Sequence, residues 1–229
     1  MTQVEQIGGS NRCVLEPVNV RIGQRYHCAM TKPQNFAVSD LAAFALTLIT
    51  SRQNILPKRL AAPGPSAEQV NDMFLAAAAA PDHGVVMPWR FVLVPEHKRT
   101  VLAEVFGRAL TERDASATPE QVEQACEKAF RAPFLALAIA RLGPCEPDID
   151  PLERMVSVGA AIQNFLLAAH SMGFGSSLTS GQAMHSHALR QLFALTEGEQ
   201  AVCSINVGTV IKSKPARIRP NVSAFVSSL

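Results

Sequence analysis

The chain has 229 residues, of which 48% are hydrophobic and 17% are charged, and its formal net charge is +2 at pH 7. This length fits one large domain or two small ones with a sizeable core. The composition excludes a disordered chain. The near-neutral charge offers no basic surface for nucleic acid, so we exclude nucleic acid as a partner.

Cysteine usage and hydropathy indicate the compartment. The five cysteines stand at positions 13, 28, 126, 145 and 203, an odd count with no Cys-x-x-Cys pair, which excludes a disulfide framework and a zinc site. The first 30 residues carry scattered charges and no apolar core of a signal peptide. The longest apolar stretch, 156–172, is too short and too polar to span a bilayer. We therefore expect a cytoplasmic protein with no membrane attachment.

The first 38 residues differ in character from the rest. Residues 1–38 are polar and lack a clear period, so we predict an N-terminal extension there, followed by one domain at 39–229. Met30 is a candidate alternative start within this extension. If the extension is ordered, we expect a second subunit to hold it in place.

Helix signals and buried apolar runs predict helices that alternate with strands after the extension. Ser39, Ser66 and Thr118 are suited to helix N-caps, and the last two begin capping boxes. The predicted helices are 39–51, 66–80, 96–111, 118–132, 155–172 and 187–193, and the predicted strands are 91–94, 134–140 and 204–210. The strands are too few for a long parallel sheet, which favours an α+β layered domain.

The stretch from Ala79 to Phe91 suits the wall of a binding site. A helix ends at Pro81, a polar turn with glycine follows, and Pro88-Trp89 leads into the first strand. A helix end, a turn and a strand start can together face a flat aromatic ligand. The alternative is a well-packed corner without a ligand.

Residues 173–181 form a second candidate segment. Glycines and four hydroxyl residues follow the most apolar helix, and we predict a loop that can approach a ligand closely. Its hydroxyl and backbone N–H groups can bond ring nitrogens or carbonyl oxygens. The glycine spacing excludes the dinucleotide-binding fingerprint. The alternative is a helix stop followed by a polar loop.

Cations occur at two further places. Arg52 follows the first helix, and an arginine can bind a phosphate through two hydrogen bonds. Residues 212–219 contain four cations after the last strand. These side chains are candidates for one phosphate site, with solvated surface charge as the alternative.

Four segments in this order resemble the nitroreductase family. They are Arg52-Gln53-Asn54, residues 80–91, residues 173–181 and Gly208-Thr209. Ala-Pro-Asp-His at 80–83 is most similar to the YdjA-like branch, and the resemblance covers residues 40–229. It implies an α+β flavoprotein with a central, mostly antiparallel sheet flanked by helices, assembled as an intertwined homodimer with FMN at the subunit interface. It also implies electron transfer from NADH or NADPH to nitroaromatic, quinone or related acceptors.

The resemblance assigns roles to individual residues. The positions that it places against the flavin or its phosphate are Arg52, Gln53, Asn54, His83, Leu178, Thr179 and Ser180. Residues 168–173 fall where the family binds the nicotinamide nucleotide. Because FMN carries the chemistry, no catalytic side chain and no metal are expected.

This chain departs from the family pattern at several of these positions. Gln53-Asn54 replaces an Arg-Ser pair, Leu178-Thr179 replaces Trp-Arg, and Val85 and Met87 stand where amides are common. Fewer cations and amide donors are therefore expected around the flavin. Arg219 is the predicted replacement ligand for the phosphate.

Reductant and acceptor are expected to react in turn at one flavin face, in a ping-pong mechanism. Donors in the loop 178–181 are candidates for stabilising the reduced ring, and His83 either assists proton delivery or stabilises the turn. Two alternatives remain open: a non-catalytic flavin-binding or sensing protein, and an oxygen-dependent flavin-modifying enzyme of the same fold.

Overall fold

The structure is a computed structural model, described here for residues 38–144, 147–215 and 217–229. The helices are α1 (Val38–Ser51), α2 (Ala67–Ala78), α3 (Arg99–Arg113), α4 (Pro119–Glu127), α5 (Pro151–Ser171) and α6 (His187–Leu192). The strands are β1 (Leu60–Ala61), β2 (Trp89–Leu93), β3 (Phe134–Arg141), β4 (Gly175–Thr179) and β5 (Glu199–Val210). The predicted extension lies outside the described residues, except that Val38 begins α1.

The five strands form one sheet in which every pair is antiparallel. The strand order is β1-β5-β3-β2, and β4 also pairs with β5. The 12-residue β5 is the central strand, with β3 along one edge and β4 and β1 in succession along the other. The expected α+β fold with an antiparallel sheet is confirmed.

Helices cover both faces of the sheet. Alternation along β3 sends Ala138 and Ala140 to one face, where α2 and α5 pack, and sends Leu137 and Ile139 to the other, where α3 and α6 pack. Phe165 of α5 is fully buried at the centre of the first face. Because both faces are covered, β3 reads as a continuous apolar run rather than an alternating one.

Helix starts follow the predicted capping chemistry. The side chains of Ser66 and Thr118 each accept a hydrogen bond from the backbone N–H three residues later, and Gln69 and Gln121 complete both capping boxes. The Asp150 carboxylate accepts from the Leu152 N–H, which starts α5 four residues earlier than predicted. At 21 residues, α5 is about 30 Å long and spans the sheet.

The loop predicted at 173–181 is wrong in its centre, because Gly175–Thr179 is strand β4. Gly175 pairs with Gly208 of β5, and a Cβ on Gly175 would lie 2.5 Å from Val210 Cγ2. Small residues therefore permit this strand to pack closely. Glycine and serine are poor strand formers, so tertiary pairing here overrides local propensity.

Helix α1 is apolar but contacts the described part of the chain mainly at α5, near its own C-terminal end. None of its residues is buried, and Phe44 and Leu46 are 62% and 64% exposed. Further large apolar side chains stand exposed at the start of α5, at Leu152 and Val156, and in the tail at Phe225. Exposed apolar surface of this extent marks an interaction site. In the described ranges, no helix combines the length and hydropathy needed to cross a bilayer.

Candidate functional site

Two cavities adjoin the segment that links α1 to β1. A larger one, of about 740 Å³, is lined by Leu56–Lys58, and a smaller one, of about 260 Å³, is lined by Arg52 and Gln53. Buried Ile55 lies between these two stretches, and its N–H donates to the Ser176 carbonyl at 2.9 Å. Strand β4 follows the same course, from Gly175 in the smaller cavity to Thr179 in the larger. The cavities are therefore neighbours along one strand.

The smaller cavity is positively charged. Arg52 and Lys214 line it, and none of the described residues that line it is acidic. The Arg219 guanidinium donates to the Arg52 carbonyl oxygen at 2.9 Å, which brings the cationic tail to this place. Burial, and secondarily the charge of Arg219, lower the pKa of Arg52. The cavity thus concentrates positive charge without an internal counter-ion.

Arg52 Nε is the clearest sign of a missing anion. This atom is buried and has no hydrogen-bond partner among the residues that the structure describes. Such a donor carries a desolvation cost unless a ligand accepts from it. His170, at the end of α5, lines the same cavity, and its Nε2 lies 2.9 Å from Ser51 Oγ. The group of donors fits a phosphate or another compact anion.

The floor of the larger cavity is a polar patch on β4 and β5. The register places Ser177 opposite Asn206 and Thr179 opposite Ser204, all on one face of the sheet. Asn206 Nδ2 donates to Thr179 Oγ1 at 3.0 Å. Ser177 Oγ is buried without a hydrogen-bond partner in the described part of the chain. Ser177 is not a lining residue, so the polar groups of these two strands that a ligand can meet are those of Thr179, Ser204 and Asn206.

The walls of the larger cavity come from α3 and α4. On α3 the lining residues are Phe106, Ala109, Leu110 and Arg113, and on α4 and just beyond it they are Gln121, Gln124, Ala125 and Lys128. These spacings of three and four residues mark one face of each helix. The sequence analysis missed these residues, because a lining stripe becomes visible only once the two helices are known to face the same space.

The loop before β2 owes its shape to Asp82. The Asp82 carboxylate accepts hydrogen bonds from the N–H groups of Val86 and Met87, at 3.3 and 2.7 Å. Val85 and Met87 both have positive φ, at 54° and 45°, although neither is glycine. Such backbone costs about 1–3 kcal/mol per residue and is concentrated at functional sites. Val85 is 88% exposed, so this strained loop presents an apolar side chain to the outside.

His83 lies apart from Arg52 within one chain. Its Nδ1 is 2.5 Å from Glu153 Oε2, and both side chains are exposed near the start of α5. His170 belongs to the smaller cavity at the other end of this helix. The 17 residues from Glu153 to His170 correspond to about 25 Å of helix. One chain therefore cannot bring His83 to the smaller cavity.

The remaining predicted residues fall into three places. Thr179 and Ser180 line the larger cavity. Leu178 pairs with Ile205 and lies on the opposite face of the sheet, which α5 covers. Asn54 is exposed and forms a parallel bridge with Ser176, so its backbone anchors the segment beside Arg52.

Residues 58–209 match the model of the family described as "Nitroreductase family". A Haemophilus influenzae protein provisionally named NAD(P)H nitroreductase is 33% identical over 165 residues, 72% of this chain and 88% of its own length. A similarly named Escherichia coli protein, YdjA, is 28% identical over 186 residues, 80% of this chain and 98% of its own length. The sequence resemblance to this family and to YdjA is confirmed.

Solved structures share the fold. A nitroreductase-like family protein from Bacillus cereus matches with a TM-score of 0.70 and 18% identity over 80% of this chain and 95% of its own. A nitroreductase with bound FMN from Desulfitobacterium hafniense matches with a TM-score of 0.59 and 18% identity, over 80% of this chain and 97% of its own. At these identities the match shows the fold alone.

Proposed function

The chain belongs to the nitroreductase family of flavin oxidoreductases, and from this premise we propose that it uses FMN to transfer electrons from NADH or NADPH to nitroaromatic, quinone or related acceptors by a ping-pong mechanism. We assign this function to a domain at residues 39–229. The observation that carries the proposal is the buried Arg52 Nε, which has no hydrogen-bond partner among the described residues and lies in a cationic cavity beside a larger polar one.

The residues of both cavities fit FMN. Arg52, Lys214 and Arg219 would hold the phosphate, with His170 as a further donor. The ring would lie in the larger cavity, which falls within the usual range of about 300–1,000 Å³ for ligand sites. The D. hafniense protein of the same fold contains bound FMN. FMN, when bound, supplies hydride and electron transfer, which no protein side chain can supply.

The side chains orient the reactants and stabilise charge. The Thr179 hydroxyl and the Asn206 amide would supply hydrogen bonds at the floor. Cations in the walls favour negative charge that develops in the cavity during reduction. For a nitro acceptor the balance is one hydride from NAD(P)H and one proton from solvent or a side chain, which convert the nitro group to a nitroso group and one water molecule and release NAD(P)⁺.

We propose that the active form is a homodimer with its sites at the subunit interface. Helix α1 and the start of α5 expose large apolar side chains that a second copy would bury. Because His83 and Arg52 lie near opposite ends of α5, the His83 loop does not reach the smaller cavity of its own chain, and in a homodimer a second copy would supply it. His83, with its Glu153 partner, would then be placed to assist proton delivery.

The test begins with the visible spectrum of the purified protein and a titration with FMN. We expect a yellow protein or one that takes up FMN, which NADH or NADPH bleaches under anaerobic conditions and which an added quinone or nitroaromatic restores. A protein that binds no FMN would refute the proposal. Tight FMN binding without bleaching by either nucleotide would instead identify a flavin-binding or sensing protein. Recovery of colour with oxygen alone, together with loss of intact FMN, would identify a flavin-modifying enzyme.

A further inference from the structure

We propose that the larger cavity selects electron acceptors that carry a carboxylate on an aromatic ring. The inference rests on the proposed function, since it assigns a substrate class to the same site. It depends on charged residues in the cavity walls, none of which is among the predicted flavin-binding residues.

The lining of the larger cavity has an excess of cations. Of the lining residues that the structure describes, four are cationic and one, Asp114, is acidic; the cations are Lys58, Arg113, Lys128 and Arg131. Arg131 also has an ion-pair partner outside the lining, because Glu127 Oε2 lies 3.7 Å from its Nη2. When Asp114 and Glu127 are subtracted from the four cations, two positive charges remain.

Asp114 contributes one full negative charge to this balance. Its carboxylate accepts hydrogen bonds from both the Oγ and the N–H of Ser116, at 2.6 and 3.0 Å. These hydrogen bonds lower the pKa of Asp114, so it is already ionised at neutral pH and is counted in full. The surplus of two is therefore the balance under working conditions.

The FMN phosphate does not account for the surplus. Arg52 and Lys214 in the smaller cavity, with Arg219 beside them, supply cations for that phosphate. If one wall cation faces the flavin ring, at least one is still left for the second substrate. The cavity therefore contains more positive charge than the cofactor needs.

The other wall residues suit an aromatic ring with an anionic substituent. Phe106, Leu110 and Leu56 provide apolar contact, and Gln121 and Gln124 provide amide groups between them and the cations. An arginine guanidinium matches the geometry of a carboxylate through paired hydrogen bonds. An aromatic carboxylate can contact the apolar, amide and cationic groups of the cavity at the same time.

Binding can be measured without turnover. We would titrate the FMN-saturated protein with benzoate and with benzyl alcohol, a neutral ligand of similar size, by isothermal calorimetry. The variants are Arg113→Gln and Lys128→Gln, with Arg108→Gln as the matched control, because Arg108 is an exposed residue of α3 outside the lining. We expect benzoate to bind more tightly than benzyl alcohol. Each wall variant should weaken benzoate binding about threefold to tenfold, more at low salt, as is usual for partly exposed ion pairs. Benzyl alcohol binding and the Arg108 variant should be unaffected.

Steady-state kinetics with two electron acceptors provide a second test. We expect 4-nitrobenzoate to have a higher kcat/KM than 4-nitrobenzyl alcohol, and the wall variants to reduce the ratio of the two values, since a change in flavin reduction affects both acceptors alike. Equal use of both acceptors by an FMN-bound, active protein would overturn this inference and leave the proposed function intact. Weakened FMN binding in the wall variants would assign the cations to the cofactor, and slower reduction by NADPH alone would assign them to the nucleotide. Failure to bind FMN would refute the proposed function itself.

Discussion

Replacing Arg52 with methionine should have opposite effects on stability and on cofactor binding. Methionine retains the apolar stem but removes the buried Nε, which has no hydrogen-bond partner among the described residues. It also removes the positive charge that the like charge of Arg219 repels. Without FMN, loss of an unsatisfied buried donor should stabilise the fold by about 1 kcal/mol, the lower end of the cost of such a group. For a chain of this size that raises Tm by about 2–4 °C.

In the presence of FMN, the order of stability of the wild type and the Arg52→Met variant should reverse. A hydrogen bond to a charged group contributes about 1.5–3 kcal/mol, so Arg52→Met should weaken FMN binding about 10- to 150-fold. At FMN concentrations about 100 times the wild-type Kd, FMN stabilises the wild type by about 2.7 kcal/mol and the variant by about 0.3–1.4 kcal/mol. The wild type should therefore be the more stable protein in FMN and the less stable one without it.

Calorimetric titration with FMN and thermal melts in its presence and absence measure both effects. Arg108→Met is the matched control, since Arg108 is exposed on α3 and lines neither cavity. Unchanged FMN affinity in Arg52→Met would refute the assignment of the phosphate to this cavity. Lower stability of the variant without FMN would show that Arg52 stabilises the fold by packing, and the argument from its unpaired donor would fail.

Three further predictions concern the scaffold. The ion pair with Arg90 holds the pKa of Glu199 at about 2, below the usual 4.5; it should stabilise the fold by up to about 3 kcal/mol above pH 4.5 and lose that contribution as the pH falls towards 2, so urea unfolding across this range should show a steeper loss in the wild type than in Glu199→Gln. Gly175→Ala should destabilise the fold by about 1–3 kcal/mol, because the added Cβ would meet Val210 at 2.5 Å, whereas Gly181→Ala, with no heavy atom within 4 Å of its Cβ, should leave Tm unchanged. Phe44→Glu on the exposed face of α1 should convert a dimer to monomers by light scattering and reduce FMN retention; a dimer that persists would place the interface elsewhere.

Local chemistry made much of the fold predictable. Ser66 and Thr118 cap their helices as expected, since a capping box depends on four consecutive residues. The apolar run around Phe165 gave the core helix, and the apolar run from Phe91 gave strand β2, which begins two residues earlier, at Trp89. These features are encoded within a short window of sequence, so no tertiary information was needed.

The errors occurred where distant residues decide the structure. Strand β4 consists of Gly-Ser-Ser-Leu-Thr and exists because β5 pairs with it, so its own composition predicted a loop. Arg113 and Lys128 could not be assigned to a site, because a cation on a helix reads as solvated until the opposite wall is known. Arg52 was identified from the sequence, but its most informative property, a buried Nε without a hydrogen-bond partner in residues 38–144, 147–215 and 217–229, depends on how the chain packs.

In the loop at 84–87, hydrogen bonds to Asp82 set the backbone path, whereas the side chains at 85 and 87 set the exposed surface. Because one carboxylate binds two backbone N–H groups, the path of residues 84–87 does not depend on which side chains stand at 85 and 87. Mutations at these two positions therefore act on ligand contacts while the backbone stays in place. Valine is a costly choice for a positive φ, so most replacements of Val85 should be tolerated by the fold. Single substitutions in such a loop can therefore change its ligand contacts over evolutionary time while each variant still folds.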